Sequence, residues 1–300
     1  LWQVPPADSK EPPQFHGEPA VAGDLLLVGT SAQGLYALDR ASGQTRWTIS
    51  TSNKAVLARP TVADGVAYVG AEDKRLRAVE VASGRVLWEF AAQGWLWAAP
   101  ALADGKLYLG SMDHHLYCLD AATGQEVWQF EAGGAVAGTP AVGDGMVFFG
   151  SFDGSFYALD TASGEQKWSF KTEGWVWGGP LLQDGVVYFG ATDHSVYALE
   201  AATGALRWKF TAGDLVRATP LYHEGTLYVA SRDGRLYALD PQTGQQKWSF
   251  FTDDPKAGQL LSELVAVGDT IYVAVMNGRV AALDAGNGTQ RWAANPAQTK

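Results

Sequence analysis

The sequence predicts an all-β fold made of seven similar four-stranded antiparallel sheets. Three observations predict it: a repeat of about forty residues, turn signals at fixed places in each repeat, and no sustained helical periodicity. Proline opens six units and Leu264 takes that place in the last, so the units start near residues 19, 60, 100, 140, 180, 220 and 264. No linker separates the units, which predicts a single domain over residues 1–300.

Each repeat has the pattern of four short strands joined by tight turns. In the third repeat, Asp104-Gly105 joins the first two strands, and such pairs tolerate the positive φ angles that two-residue hairpins need. A turn containing Asp113 joins the second and third strands, and Thr123-Gly124 precedes the fourth. Repeating such sheets around a ring buries both faces of each and leaves only short edges exposed. The pattern therefore predicts a seven-bladed β-propeller.

A tryptophan recurs in the fourth strand of every repeat, where we expect its ring to pack between neighbouring blades. Another, Trp2, precedes the first repeat and predicts an N-terminal strand that closes the ring by completing the last blade. Either Trp2 or Trp292 then lies outside the ring, and the alternative is eight blades, the last lying outside this sequence or supplied in trans. The predicted structural tryptophans are Trp2, Trp47, Trp88, Trp128, Trp168, Trp208, Trp248 and Trp292.

Composition excludes several classes of function. The net charge of −10 repels phosphate backbones, so nucleic acid is excluded as the main partner. Apolar stretches have strand length, well short of the roughly 20 residues of a spanning helix, so we predict that the chain does not span a membrane. The one cysteine, Cys118, replaces an alanine of the repeat and is predicted to be buried filler. No hydrolase, zinc-protease or nucleotide-binding motif is present, and we predict no catalytic residues.

The pattern LYALDxxTGxxxWxF at residues 236–250 recurs in degraded form in every unit. It resembles the repeat of the quinoprotein-like (PQQ-like) β-propeller superfamily, and the resemblance covers almost the whole chain. One branch contains PQQ-dependent dehydrogenases, which implies PQQ held beside Ca²⁺, with a vicinal disulfide and a catalytic aspartate. This sequence has no Cys-Cys pair, and its recurrent aspartates stand singly at turns.

The tryptophan strand ahead of the first repeat resembles the non-enzymatic BamB-like branch instead. That resemblance implies an extracytoplasmic protein, periplasmic or at the cell surface, that binds other proteins as a monomeric scaffold or sensor domain. It also allows a lipid anchor or fused domain outside this chain. Blade number departs from the branch, which has eight. The alternative function is a redox propeller that binds PQQ with Ca²⁺ or another anionic aromatic ligand.

Two links between repeats break the pattern with matching Trp-x-Trp pairs. At the equivalent positions of the repeat, other links hold smaller residues or arginine. The adjacent turns of the same two repeats carry histidine instead of the common Asp-Gly. We expect links and turns to lie on one face, as two aromatic lobes flanking a gap lined by small residues. The candidate binding residues are Trp95, Trp97, Trp175, Trp177, His114, His115, His194, Arg59 and Arg217.

Three interpretations of these residues remain open. Exposed tryptophan with arginine and histidine is typical of a recognition surface for proteins, sugars or aromatic ligands. Alternatively, the indole rings fill a central channel and the histidines are ordinary turn residues. Metal binding by His114, His115 and His194 is the third, although their spacing matches no closed metal site.

Overall fold

The computed structural model describes residues 2, 14–252, 260, 263–275 and 278–294. Every regular element within them is a β-strand, and the strands form seven four-stranded antiparallel sheets, each a simple meander. The predicted all-β propeller of seven blades is confirmed. None of the described residues forms a helix long and apolar enough to cross a membrane. The chain divides into two compact units, Leu1–Pro140 and Ala141–Lys300, and the prediction of a single domain stays a prediction.

The first unit contains three sheets. Sheet 1 is β1 (Phe15–Ala22), β2 (Leu25–Thr30), β3 (Leu35–Asp39) and β4 (Thr45–Ile49); sheet 2 is β5 (Thr61–Ala63), β6 (Val66–Gly70), β7 (Arg75–Glu80) and β8 (Val86–Ala91); sheet 3 is β9 (Ala101–Ala103), β10 (Lys106–Gly110), β11 (His115–Asp120) and β12 (Glu126–Glu131). Apolar clusters lie between sheets 1 and 2 and between sheets 2 and 3.

The second unit contains four sheets. Sheet 4 is β13 (Ala141–Gly143), β14 (Met146–Gly150), β15 (Ser155–Asp160) and β16 (Gln166–Lys171); sheet 5 is β17 (Leu181–Gln183), β18 (Val186–Gly190), β19 (Ser195–Glu200) and β20 (Leu206–Thr211); sheet 6 is β21 (Leu221–His223), β22 (Thr226–Ala230), β23 (Arg235–Leu239) and β24 (Gln246–Phe251); sheet 7 is β25 (Val265–Val267), β26 (Thr270–Ala274), β27 (Val280–Asp284) and β28 (Gln290–Ala294). Three apolar clusters lie between its successive sheets.

The predicted Asp-Gly hairpins are confirmed. Asp104 and Gly105 both have positive φ, 48° and 71°, and Asp64, Asp144 and Asp184 lie in the same left-handed region. Two consecutive positive φ angles are what the favoured two-residue hairpin requires, because its twist matches that of the flanking strands.

The fourth strand of every sheet begins with a register shift. A bulge between the third and fourth strands places each fourth-strand tryptophan directly opposite a small residue, as Trp47 faces Ala37. In sheet 3 that small residue is Cys118, which faces Trp128. Cys118 is fully buried, as predicted, and burial raises the pKa of its thiol to about 11.

The tryptophan of one sheet lies on a turn of the next. Asp120 Oδ1 accepts hydrogen bonds from the Thr123 backbone and hydroxyl at 2.8 and 2.7 Å, which shapes the turn and puts Gly124 at φ 73°. The ring of Trp88 covers Gly124 so closely that an added Cβ would be 2.5 Å from it, and Trp88 Nε1 donates to Ala121 O at 3.1 Å. We call the glycine and this carbonyl the tryptophan-binding turn.

The predicted N-terminal closing strand falls mostly on residues 1 and 3–13, outside the described residues. Trp2 itself is described, and its Nε1 donates to Arg40 O at 3.0 Å. Sheet 7 takes its fourth strand from its own repeat, where Trp292 lies opposite Ala282.

Candidate binding surface

The link that carries Trp95 and Trp97 is fixed through its backbone. The residue between the two rings, Leu96, is fully buried, and its amide donates to Ala71 O at 3.3 Å. The carbonyl of Trp95 accepts from the amide of Met112 at 3.0 Å. The segment is therefore tied to sheet 2 on one side and to the second turn of sheet 3 on the other, which leaves both indoles on a rigid support.

A carboxylate at this second turn holds the start of the same link. Asp113 Oδ2 accepts from the amides of Gln93 and Gly94, at 2.8 and 2.7 Å, and from the Tyr117 hydroxyl at 3.0 Å. The backbones approach so closely that a Cβ on Gly94 would overlap the amide nitrogen of Asp113. Burial opposes ionisation of Asp113, but hydrogen bonds, first among them that from Ser111, outweigh it and lower the pKa of its carboxyl.

Of the two indoles on this link, that of Trp95 is exposed. Its side chain is 45% exposed and stacks on Trp97 with ring centroids 5.7 Å apart and planes 28° apart. The half-buried Trp97 donates from Nε1 to Glu72 Oε1 at 3.1 Å. This lobe therefore presents an aromatic pair bordered by a carboxylate.

The link that carries Trp175 and Trp177 repeats these contacts in the second unit. Val176 is fully buried, and its amide donates to Ser151 O at 3.1 Å. The Thr192 amide donates to Trp175 O at 2.9 Å, and the Thr192 hydroxyl accepts from the Trp175 amide at 2.7 Å. Both links therefore hold their tryptophans through the same backbone frame.

The side chains of this second lobe form a continuous stack, which we call the Trp177 stack: Trp175, Phe152, Trp177 and Arg217. The Phe152 ring lies 5.1 Å from Trp175 and 4.6 Å from Trp177, centroid to centroid. The Arg217 guanidinium carbon lies 4.3 Å from the Trp177 ring centroid. Trp175 is 50% exposed, so the stack has a solvent-exposed indole at one end and the Arg217 guanidinium at the other.

Arg217 has a donor that the described residues leave unused. Its Nε is buried and has no hydrogen-bond partner among them. A buried N–H without a partner costs free energy. The other predicted arginine, Arg59, is exposed in a link of the first unit.

The histidines occupy turn positions. His114 and His194 are exposed and have φ of 77° and 69°, where other repeats place Gly154 and Gly234. His115 is half-buried, with Nδ1 3.0 Å from Asp113 O. The structure therefore uses two of the three in left-handed backbone positions that glycine usually fills.

The described residues do not match a PQQ–calcium centre. Within the described ranges, no three side chains of His, Cys, Asp or Glu come together as an ion-binding group. Ca²⁺ needs six to eight oxygen ligands from several segments, and the aspartates at the turns, such as Asp113 and Asp193, are occupied in holding backbone amides.

Two residues of these lobes were missed by sequence reasoning. Phe152 and Glu72 share one column of the repeat, the residue before the aspartate of the second turn, with Met112 and Thr192. Phe152 is the one aromatic residue in that column, a signal as clear as the Trp-x-Trp pairs. The predicted gap between the lobes stays a prediction, because the lobes belong to different units.

Comparison with known families decides the relationship. The family model described as outer membrane protein assembly factor BamB matches residues 1–96, 82–175 and 171–300. The chain belongs to the BamB family. It lies in the wider PQQ-like propeller superfamily that its repeat resembles, and no curated protein matches its sequence.

Solved structures agree on the fold. BamB from Moraxella catarrhalis matches with a TM-score of 0.77 and 22% identity, over 89% of this chain and 84% of that one. The computationally designed Ika8 protein matches with a TM-score of 0.82 and 16% identity, over 96% and 89%. Quinohemoprotein alcohol dehydrogenase ADHIIG from Pseudomonas putida HK5 matches with a TM-score of 0.74 and 16% identity, over 93% and 66%. Both an assembly factor and an enzyme thus share this propeller fold.

Proposed function

We propose that this BamB-family chain is a non-catalytic scaffold of the bacterial envelope that binds a protein partner in outer-membrane protein assembly. The observation that carries the proposal is the Trp177 stack, in which the half-exposed Trp175 is held on a rigid link and connects through two rings to Arg217. Rigid aromatic residues beside arginine are the usual anchors of protein recognition. The scaffold works outside the cytoplasm, in the periplasm or at the cell surface, as a monomeric propeller.

The chemistry of the stack favours one kind of partner segment. The exposed face of Trp175 offers apolar area for an aromatic or aliphatic side chain. Arg217 offers a guanidinium charge beside the Trp177 ring, which suits a carboxylate. The preferred segment therefore has a large apolar residue close to an aspartate or glutamate.

The Trp95 lobe has the opposite electrostatic character. Glu72 borders the aromatic pair there and accepts from Trp97. A carboxylate at this edge disfavours acidic segments, so we expect the acidic partner segment to bind the Trp177 stack alone.

Solubilised outer membranes test the proposal. Wild-type chain, the double variant Trp175→Ala/Phe152→Ala, and Val127→Ala are immobilised separately. Val127 is a matched control because it exposes apolar area, 47% of the residue, on β12 and belongs to neither Trp-x-Trp link. We expect wild type and Val127→Ala to retain the same outer-membrane assembly protein and the double variant to lose it. Equal retention by all three chains, or by none, contradicts the proposal.

A second candidate is a propeller that binds an anionic aromatic ligand such as PQQ. The observation that favours it is the Arg217 guanidinium over the Trp177 ring, a cation beside an aromatic face. Titration with PQQ, with and without Ca²⁺, is followed by tryptophan fluorescence. Saturable quenching that Trp177→Ala abolishes supports this candidate, and the absence of saturable quenching supports the scaffold.

A further inference from the structure

One position of the second strand lies opposite the same small residue as the fourth-strand tryptophan. An aromatic residue occupies it in six of the seven described sheets: Tyr68, Tyr108, Phe148, Tyr188, Tyr228 and Tyr272. In sheet 1 the position holds Leu27, which lies opposite Ala37. Among the described sheets, sheet 1 therefore has an aliphatic side chain where the others have a ring.

The tyrosines at this position connect one sheet to the next. The Tyr68 hydroxyl donates to Ala121 O in the turn of sheet 3 at 3.2 Å, and Trp88 Nε1 donates to the same oxygen at 3.1 Å. The Tyr228 hydroxyl likewise donates to Ala285 O in the turn of sheet 7 at 2.8 Å. Because a backbone carbonyl oxygen has two lone pairs, it accepts from the phenol and the indole together.

The interface between sheets 1 and 2 lacks the phenol. Its turn carbonyl is Val81 O, which accepts from Trp47 Nε1 at 2.9 Å. Leu27 stands in the place of the tyrosine and has no hydroxyl. Among the described contacts, Val81 O therefore has one side-chain donor where Ala121 O has two.

A cavity of about 500 Å³ lies between sheets 1 and 2. Its apolar lining residues include Ala22, Leu25, Val62 and Val81. Because Val81 is among them, the cavity reaches the residue whose counterpart, Ala121, accepts from the tyrosine hydroxyl in the next interface. Its volume lies in the range of small-molecule sites, and apolar cavities take up small aromatic molecules.

A second substitution enlarges the same space. Val62 lines the cavity from the first strand of sheet 2. The corresponding residue of sheet 3 is Leu102, which packs in the same apolar cluster as Tyr68. The interface between sheets 1 and 2 thus has the smaller side chain on both sides, leucine for tyrosine and valine for leucine.

Charges at the rim of the cavity do not favour an anion. Arg46 lies at the rim, but its Nε and Nη2 donate to Asp39 Oδ2 at 3.2 and 2.6 Å. Asp24 lies at the same rim. One guanidinium is therefore matched by two carboxylates, which suits a neutral ligand.

We propose that the cavity between sheets 1 and 2 binds a neutral monophenol, whose ring packs against Leu25 and Val62 and whose hydroxyl donates to Val81 O. The bound phenol supplies the ring and the hydrogen bond that Tyr68 supplies between sheets 2 and 3. None of these residues belongs to the Trp-x-Trp links, so the site is independent of the proposed scaffold function.

Saturation-transfer NMR titration of the full chain tests the site. The ligands are para-cresol, toluene, which has the same ring without the hydroxyl, and 4-hydroxybenzoate, which adds a negative charge. The proteins are wild type, Leu27→Tyr, Val62→Leu and the control Val127→Ala, which changes a residue of β12 outside the cavity. Circular dichroism and urea denaturation establish that each variant is folded.

We expect wild type and Val127→Ala to bind para-cresol saturably and with equal affinity. Toluene binds about fivefold more weakly, since it lacks one hydrogen bond. The carboxylate of 4-hydroxybenzoate weakens its binding through Asp24 and Asp39. Leu27→Tyr abolishes binding and raises the urea midpoint, because the chain's own ring then fills the cavity. Val62→Leu fills part of it and weakens binding about threefold or more.

Several results overturn the proposal. The absence of saturable para-cresol binding by wild type is one, and undiminished binding by folded Leu27→Tyr is another, since the ligand then binds elsewhere. Toluene or 4-hydroxybenzoate binding as tightly as para-cresol removes the assignment of a neutral phenol. If Leu27→Tyr does not fold, Val62→Leu decides, and an unchanged affinity in that variant overturns the site.

Discussion

The link around Trp97 in the first unit and the link around Trp177 in the second share one backbone frame. Each buries an aliphatic residue, Leu96 or Val176, whose amide donates to the preceding sheet. Their side chains differ: Trp97 donates to Glu72, whereas Trp177 lies between Phe152 and Arg217. The backbone hydrogen bonds are the same in the two links, and side chains at a few variable positions of the repeat determine the chemistry of each lobe.

Removing the common frame has the largest expected effect. A Cβ on Gly94 or Gly174 would overlap the amide nitrogen of Asp113 or Asp193. We expect Gly94→Ala and Gly174→Ala each to lower the free energy of unfolding by about 3 kcal/mol, measured by urea denaturation. Gly105→Ala is the control: its Cβ meets nothing within 4 Å, and its positive φ alone costs about 1 kcal/mol. Equal losses in all three variants would contradict a shared close approach.

The second-largest expected effect on stability comes from removing Phe152, the central ring of the Trp177 stack. Phe152→Ala loses ring contacts with Trp175 and Trp177, and aromatic pairs are worth about 1 kcal/mol each beyond area burial. We expect the two ring contacts to account for roughly 2 kcal/mol of the loss in unfolding free energy, measured by urea denaturation. Met112→Ala, in the same column of the first unit, is the matched control and should cost less, since Met112 lacks such a ring stack. An equal loss in both variants would show that the column is merely structural.

The acidic border of the first lobe has a smaller effect. Glu72→Ala removes the acceptor of Trp97 Nε1 and should cost about 1 kcal/mol of unfolding free energy. Glu72→Gln keeps a carbonyl oxygen there and should stay close to wild type in the same urea experiment. A Glu72→Gln loss equal to that of Glu72→Ala would mean that charge, not the hydrogen bond, stabilises this lobe.

The smallest expected effect is a pH dependence from Asp113. Its folded-state pKa lies below the ordinary 3.8, so its contribution to stability is present above that value and is lost as pH falls through the folded pKa. We expect the urea midpoint of wild type to fall as the pH is lowered from 5 to 3, and to fall less in Asp113→Asn. Val127→Ala, which removes no hydrogen bond to a carboxylate, keeps the slope of wild type. An unchanged slope in Asp113→Asn would contradict the assignment.

Much of the fold could be predicted because its signals are local. The strands and the Asp-Gly hairpins each depend on residues a few places apart, and the structure has them where the repeat predicts them. The Trp-x-Trp pairs stood out because they break a column of the same repeat. Phe152 and Glu72 were missed because they lie in a different column, about 25 residues from the tryptophans that they contact.

The histidines show a second limit of prediction from the sequence. Sequence placed His114 and His194 in the lobes because they replace glycine, and the structure shows the backbone consequence, a positive φ at each. Their role in binding stays a prediction.

The sequence by itself determined the strand count, the turns and the family, because hydrophobic alternation and turn chemistry act over short distances along the chain. Only the tertiary structure decided which positions of the repeat are in contact. It placed Arg217 over Trp177, Glu72 against Trp97 and Trp2 on the turn of sheet 1, because the packing of one sheet on the next joins residues 25 to 40 positions apart.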